Sequence, residues 1–212
     1  MERATKQEGL IFAFLPAHGG SRAGAVAERL SRTLAEGPGP AVLLADFETR
    51  GYPLWRSDAP RRLDGRTWGA WVVEQDGLDV LAAPDVNLRE LAPLLDGARN
   101  DYGIIVVDLT AANAEQTEHV IGASEAVFIV SGADAASLAA VRARLSSLQA
   151  VQIEERSALL LQQEPDSLSA SEAEETTGLP LCGYVDTDTQ IRQLGRWLAA
   201  NIAPAEALVQ VA

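Results

Sequence analysis

An α/β fold, with a mainly parallel sheet flanked by helices on both faces, is what the order of segments in this chain predicts. Short, nearly unbroken apolar runs recur along the sequence, and stretches with helical periodicity lie between them. A strand covered on both faces has no solvent side, so it reads as a continuous apolar run rather than an alternating one. Strands separated by helices imply crossover connections, which pair strands in parallel. The composition agrees: 212 residues, 47% hydrophobic and 22% charged, suit a globular chain that builds a core without disulfides.

Each element follows in order. Residues 10–15 form an apolar run that stops at Pro16 and the Gly19-Gly20 pair. Residues 22–36 then set Val26, Ala27, Leu30 and Leu34 on one helical face and Arg29, Arg32 and Glu36 on the other. Gly37-Pro38-Gly39-Pro40 ends that helix, and a second buried strand at 41–45 delivers Asp46. Residues 47–77, with Pro53, Pro60 and several glycines, read as a long loop holding a short helix around Trp68 and Trp71. A strand at 78–82 and a helix at 88–98 precede the clearest buried strand, 103–108. Helices at 115–121, 135–148, 169–177 and 189–200 alternate with strands at 126–130, 158–161 and 181–185. Neither a repeat nor a low-complexity linker interrupts the pattern, so residues 1–212 read as one domain with flexible ends at 1–8 and 203–212.

Charge and residue counts narrow the function classes. A net charge of −13 opposes the counterion release that drives polyanion binding, so no nucleic-acid partner is expected. Arg56, Arg61, Arg62 and Arg66 make one local basic cluster, with Asp58 and Asp64 beside them for pairing. Cys182, alone in an apolar run, reads as a buried inert thiol, and His18 and His119 have no metal-ligand spacing, so no metal is expected. No signal-peptide pattern and no long apolar span are seen, which points to a cytoplasmic protein. Trp55, Trp68 and Trp71 serve either as binding anchors or as a hydrophobic cluster under the loop, while Trp197 belongs to the core. Of the 17 basic residues, 16 are arginine and only Lys6 is lysine.

Ligands of open parallel sheets sit at the carboxyl ends of the strands. There the first strand runs into Gly19, Gly20, Ser21 and Arg22 and straight on into a helix, a layout that points backbone N–H groups at an anion. The second strand ends in Asp46-Phe47-Glu48, and the 103–108 strand ends in Asp108. Gly19, Gly20, Ser21, Arg22, Asp46, Glu48 and Asp108 are therefore the candidate pocket.

On these residues the chain resembles the MinD/ParA group of P-loop ATPases. That group includes pilus-assembly localisation proteins of the CpaE/TadZ type and the capsule-related bacterial tyrosine kinases. The group's loop, K-G-G-x-G-K-[ST], falls on His18-Gly19-Gly20-Ser21-Arg22-Ala23-Gly24. The 41–46 run is similar to its switch-aspartate strand, and 101–108 to its Walker B strand. The 77–84 and 179–188 segments also resemble family segments.

The departures matter as much. By this resemblance His18 stands at the signature lysine, Arg22 at a glycine, Ala23 at the phosphate-binding lysine, and Gly24 at the Mg²⁺-binding hydroxyl. Lys6 precedes the first strand, whose length of roughly 20 Å puts it near the opposite end of the sheet. Arginine does not reproduce a compact ammonium in a tight phosphate loop. The resemblance then implies a pseudo-ATPase without ATP or Mg²⁺, with no assigned catalytic residue and Asp46 and Asp108 as relics that cap nearby N–H groups. It implies an interaction, scaffold or localisation protein in pilus or secretion assembly. A protein partner is expected, and a homodimer is what the family leads one to look for. The 203–212 tail has no Lys or Arg, so no direct membrane anchor is expected. The alternative is a weak ATP- and Mg²⁺-binding ATPase or a kinase-like partner in capsule export, although the only tyrosines are Tyr52, Tyr102 and Tyr184.

Overall fold

Strand order explains why the apolar runs are unbroken. The computed structural model describes residues 8–47, 68–82, 88–148, 153–164 and 166–200. Within them lie β1 (Leu10–Pro16), β2 (Val42–Asp46), β3 (Val72–Gln75), β4 (Leu78–Ala82), β5 (Ile104–Asp108), β6 (Ala126–Gly132), β7 (Ser157–Gln162) and β8 (Leu181–Tyr184). They make one sheet in the order β3-β4-β2-β5-β1-β6-β7-β8. Every neighbouring pair is parallel except β3 with β4.

Among the described residues α1 (Ala23–Ala35), α2 (Leu88–Asp101), α3 (Ala114–Ala123), α4 (Ala135–Ser147) and α5 (Ala170–Thr177) lie between strands, and α6 (Asp188–Ala200) follows β8. Successive strand residues point to opposite faces, and β1 divides accordingly. Phe12 and Phe14 join α1 (Val26, Ala27, Leu30) and α6 (Ile191, Leu194, Leu198) on one side. Ile11, Ala13 and Leu15 join α2 (Leu91, Leu94, Leu95), α3 (Val120, Ile121) and α4 (Leu138, Val141) on the other. The fold class read from the sequence is thus the one observed.

The amino-terminal edge is closed by backbone contact. A Cβ at Gly9 would lie 2.0 Å from the Tyr102 carbonyl oxygen, and one at Gly103 would lie 2.3 Å from Pro40 Cβ. Arg99 spans the same edge, donating to the Gly9 carbonyl at 3.1 Å and to Glu125 Oε1 at 2.8 Å. Glu125 Oε2 in turn accepts from the Ile11 N–H, so one ion pair ties the start of β1 to α2 and to the turn after α3.

One segment differs from expectation. Residues 72–75, read as loop, form β3, the antiparallel edge strand. Asp76 and Gly77 both have positive φ (50° and 80°), which matches the twist of a two-residue hairpin. Glu74 Oε1 accepts from the Gly77 N–H at 2.7 Å and closes the turn. Four residues are too few for an alternating pattern to declare itself, but Asp-Gly ahead of an apolar run was a usable hairpin signal.

Trp68 is buried and stacks edge-on against Tyr102 with centroids 5.9 Å apart, so it belongs to the hydrophobic cluster. Trp71 is half-buried and packs against the same cluster. Trp197 and Cys182 are half-buried against the α1/α6 core, and burial pushes the Cys182 thiol up to about 12. Among the described residues no helix is long and apolar enough to cross a membrane.

Phe128 packs at 5.2 Å from Phe14 and 6.3 Å from Phe12 at the centre of the α1/α6 side. Phe128→Ala is expected to lower stability by about 3–5 kcal/mol in urea titration, through lost burial and the cavity left behind. Gly9→Ala drives a methyl into a carbonyl that cannot move freely, and a loss of about 1–3 kcal/mol is expected in the same assay.

Candidate functional site at the carboxyl edge

Register brings the sequence-predicted residues to one end of the sheet. Asp46 of β2 pairs with Asp108 of β5, and Asp108 pairs with Phe14 of β1, so the three form one row across neighbouring strands. In-register residues of parallel strands share a face, which puts both carboxylates on the side covered by α1. Asp46 is 4% and Asp108 3% exposed. Asp108 Oδ1 accepts from the Thr110 N–H at 2.9 Å and the Thr110 hydroxyl at 2.6 Å, an Asx-type turn. The loop begins beyond this row, where Ala17 N–H continues the ladder to the Val130 carbonyl at 3.0 Å.

The loop folds onto itself. The His18 carbonyl accepts from the Ser21 N–H at 3.1 Å and from the Ser21 hydroxyl at 3.0 Å, which buries Ser21. The Gly20 N–H donates to His18 Nδ1 at 3.1 Å. Gly19, Gly20 and His18 remain exposed. Arg22, also exposed, sits at the N-cap of α1 in the left-handed region, φ 51° and ψ 30°, with no side-chain cap. A β-carbon there costs on the order of 1 kcal/mol relative to glycine.

Two further residues enter that the sequence did not single out. His18 Nε2 lies 3.2 Å from Ser137 Oγ on α4. Asp134 caps α4, accepting from the Ala136 N–H at 2.9 Å and the Ser137 N–H at 3.1 Å. The Ser137 hydroxyl is the largest influence holding the Asp134 carboxyl below its ordinary value, with the backbone N–H groups of the cap adding to it. An N-cap aspartate after a strand is legible in the sequence. The contact of Ser137 with a histidine 119 residues away is not.

Glu48 and Lys6 lie outside the described residues, as do Trp55 and the Arg56, Asp58, Arg61, Arg62, Asp64 and Arg66 cluster. Among the described residues no group of three or more His, Cys, Asp or Glu side chains is arranged to hold a metal ion.

Comparison with known proteins bears on the fold. No protein-family model matches the sequence. No curated protein matches it either. Solved structures do match. A ParA family ATPase from Chlorobium tepidum TLS superposes with a TM-score of 0.70 at 18% identity, over 92% of this chain and 91% of that one. MinD in the MinC:MinD cell division complex of Aquifex aeolicus gives 0.72 at 13% identity, over 92% and 98%. A plasmid partition protein from Borrelia burgdorferi B31 bound to AMPPNP gives 0.67 at 14% identity, over 88% and 96%. This chain has the MinD/ParA-type P-loop fold; at these identities the likeness speaks for fold alone.

A lowered carboxylate pKa adds stability that is present above the unfolded value and is lost as pH falls through the folded one. Asp134→Ala is therefore expected to cost about 1 kcal/mol near neutral pH, a typical N-cap loss. The gap to the parent should close as pH drops below the ordinary aspartate value of 3.8. Urea midpoints measured across that range check it.

Proposed function

We propose that this chain, starting from a MinD/ParA-type fold, works as a non-catalytic interaction, scaffold or localisation protein. The observation that carries the reading is the loop's own hydrogen bonding. The N–H groups of Gly20 and Ser21, which an anion cradle would offer outward, are already taken by His18 Nδ1 and the His18 carbonyl.

The side chains support the same reading. Ala23 and Gly24 are buried where the resembling motif has a lysine and a hydroxyl, so no ammonium and no Mg²⁺ ligand stands there. Asp46 and Asp108 would face a polyphosphate without a lysine between. The residues present do not fit Mg-ATP. Activity would then lie in protein binding, with a homodimer, if formed, independent of nucleotide. The resemblance to CpaE/TadZ-type proteins favours pilus or secretion assembly in the cytoplasm, with a membrane reached only through a partner. MinD solved in complex with MinC is an instance of the fold working through a protein partner.

A second reading, a weak ATPase or kinase-like partner in export, draws on Asp46 and Asp108, the two in-register carboxylates at the ends of β2 and β5. Calorimetry separates the two. The expected result is no saturable heat from ATP with Mg²⁺, meaning a Kd weaker than about 1 mM. Micromolar binding, or ATP turnover that Asp46→Ala abolishes, would replace the first reading with the second.

A further inference from the structure

We propose that His18 is an intramolecular latch. It takes the acceptor position that the loop holds open for an anion, and α4 holds it there through Ser137 and Asp134. This rests on the loop being closed, as argued above, and adds what closes it.

The two hydrogen bonds of the His18 ring assign its tautomer. Nδ1 accepts from the Gly20 N–H, so it carries no proton, and the neutral ring must be protonated at Nε2. Nε2–H then donates to Ser137 Oγ, and Asp134 holds Ser137 in place by accepting its backbone N–H at 3.1 Å. Donors and acceptors alternate without conflict from Gly20 through His18 to Ser137. A catalytic Ser-His pair would need the reverse order, with an unprotonated Nε2 facing the hydroxyl, so this arrangement positions the loop and does not activate Ser137.

The backbone beneath makes room for the relay. A Cβ at Gly132 would stand 2.9 Å from both Asp134 Oδ2 and Ser137 Oγ, so only glycine at the end of β6 leaves the pair undisturbed. The latch also joins two layers. α1 follows the loop on one face of the sheet, and α4 packs on the other. The His18–Ser137 contact crosses the carboxyl edge between them, so a partner seated at the α4 N-terminus and the state of the loop act on each other.

The test uses amide exchange and ring ¹⁵N spectra of the full chain, with inorganic phosphate as the probe. In the parent, His18 should appear as the Nε2–H tautomer and Gly20 should be protected despite its exposure. His18→Ala, a change at an exposed side chain, should speed Gly20 exchange about five- to tenfold, the worth of one hydrogen bond. Gly132→Ala and Ser137→Ala should speed it by about twofold, since they remove only the outer hold. His18→Asn, whose side-chain oxygen can accept from the N–H two residues on, should restore most of the protection. Phosphate should shift the Gly20 amide in His18→Ala and leave the parent unmoved. An Nδ1–H tautomer, equal Gly20 exchange in parent and His18→Ala, or equal phosphate shifts in both would overturn the latch. None of these readouts depends on ATP, so a nucleotide-binding result would refute the non-catalytic reading without deciding this one.

Discussion

The parallel ladder of β5, β1 and β6 is the constraint from which the rest of this molecule follows. Parallel strands joined by crossover helices are covered on both faces, and a charge placed along them would be stripped of water at high cost. Ile104 to Val107, Ile11 to Leu15 and Ala126 to Val130 are accordingly apolar and almost fully buried. In β2, β5 and β6 the buried polar side chains among the described residues, Asp46, Asp108 and Ser131, stand at or next to the carboxyl ends of the strands. Any chemistry the chain performs is thereby confined to the edges of the sheet.

The two edges are finished differently. At the amino edge, Gly9 and Gly103 let backbone and Pro40 approach too closely for any side chain, and the Arg99–Glu125 pair seals the seam. The carboxyl edge instead carries a loop that must satisfy its own N–H groups. In a loop that binds phosphate an anion meets that need. Here the His18 imidazole does, accepting from the Gly20 N–H at 3.1 Å.

Contacts between the helices hold the loop's flank in place. On the α1 face, Arg29 donates to Asp188 at 2.6 Å. A Cβ at Gly195 would stand 3.2 Å from Thr33 Cγ2, so glycine there lets α6 pack closely on α1. On the other face, α4 is fixed by Leu138, Val141 and Leu145, with Asp134 capping its start. The loop therefore hangs between two helix termini that are each packed independently, which is why a single side-chain contact across the edge can set its conformation.

Most of the fold was legible because burial writes a local pattern: unbroken runs for strands covered twice, stripes at helical spacing for helices covered once. The strand-end carboxylates were legible for the same reason, as the first polar residues after apolar runs. β3 escaped because four residues carry too little periodicity, and only its partner strand and the Asp76-Gly77 turn define it. The one-to-sixteen ratio of lysine to arginine is a property of the sequence alone, and it leaves Lys6 as the one lysine side chain. What His18 touches was decided by tertiary structure. His18 meets Ser137 only because the sheet order sets β1 beside β6, and no local pattern specifies which strands of a parallel sheet become neighbours.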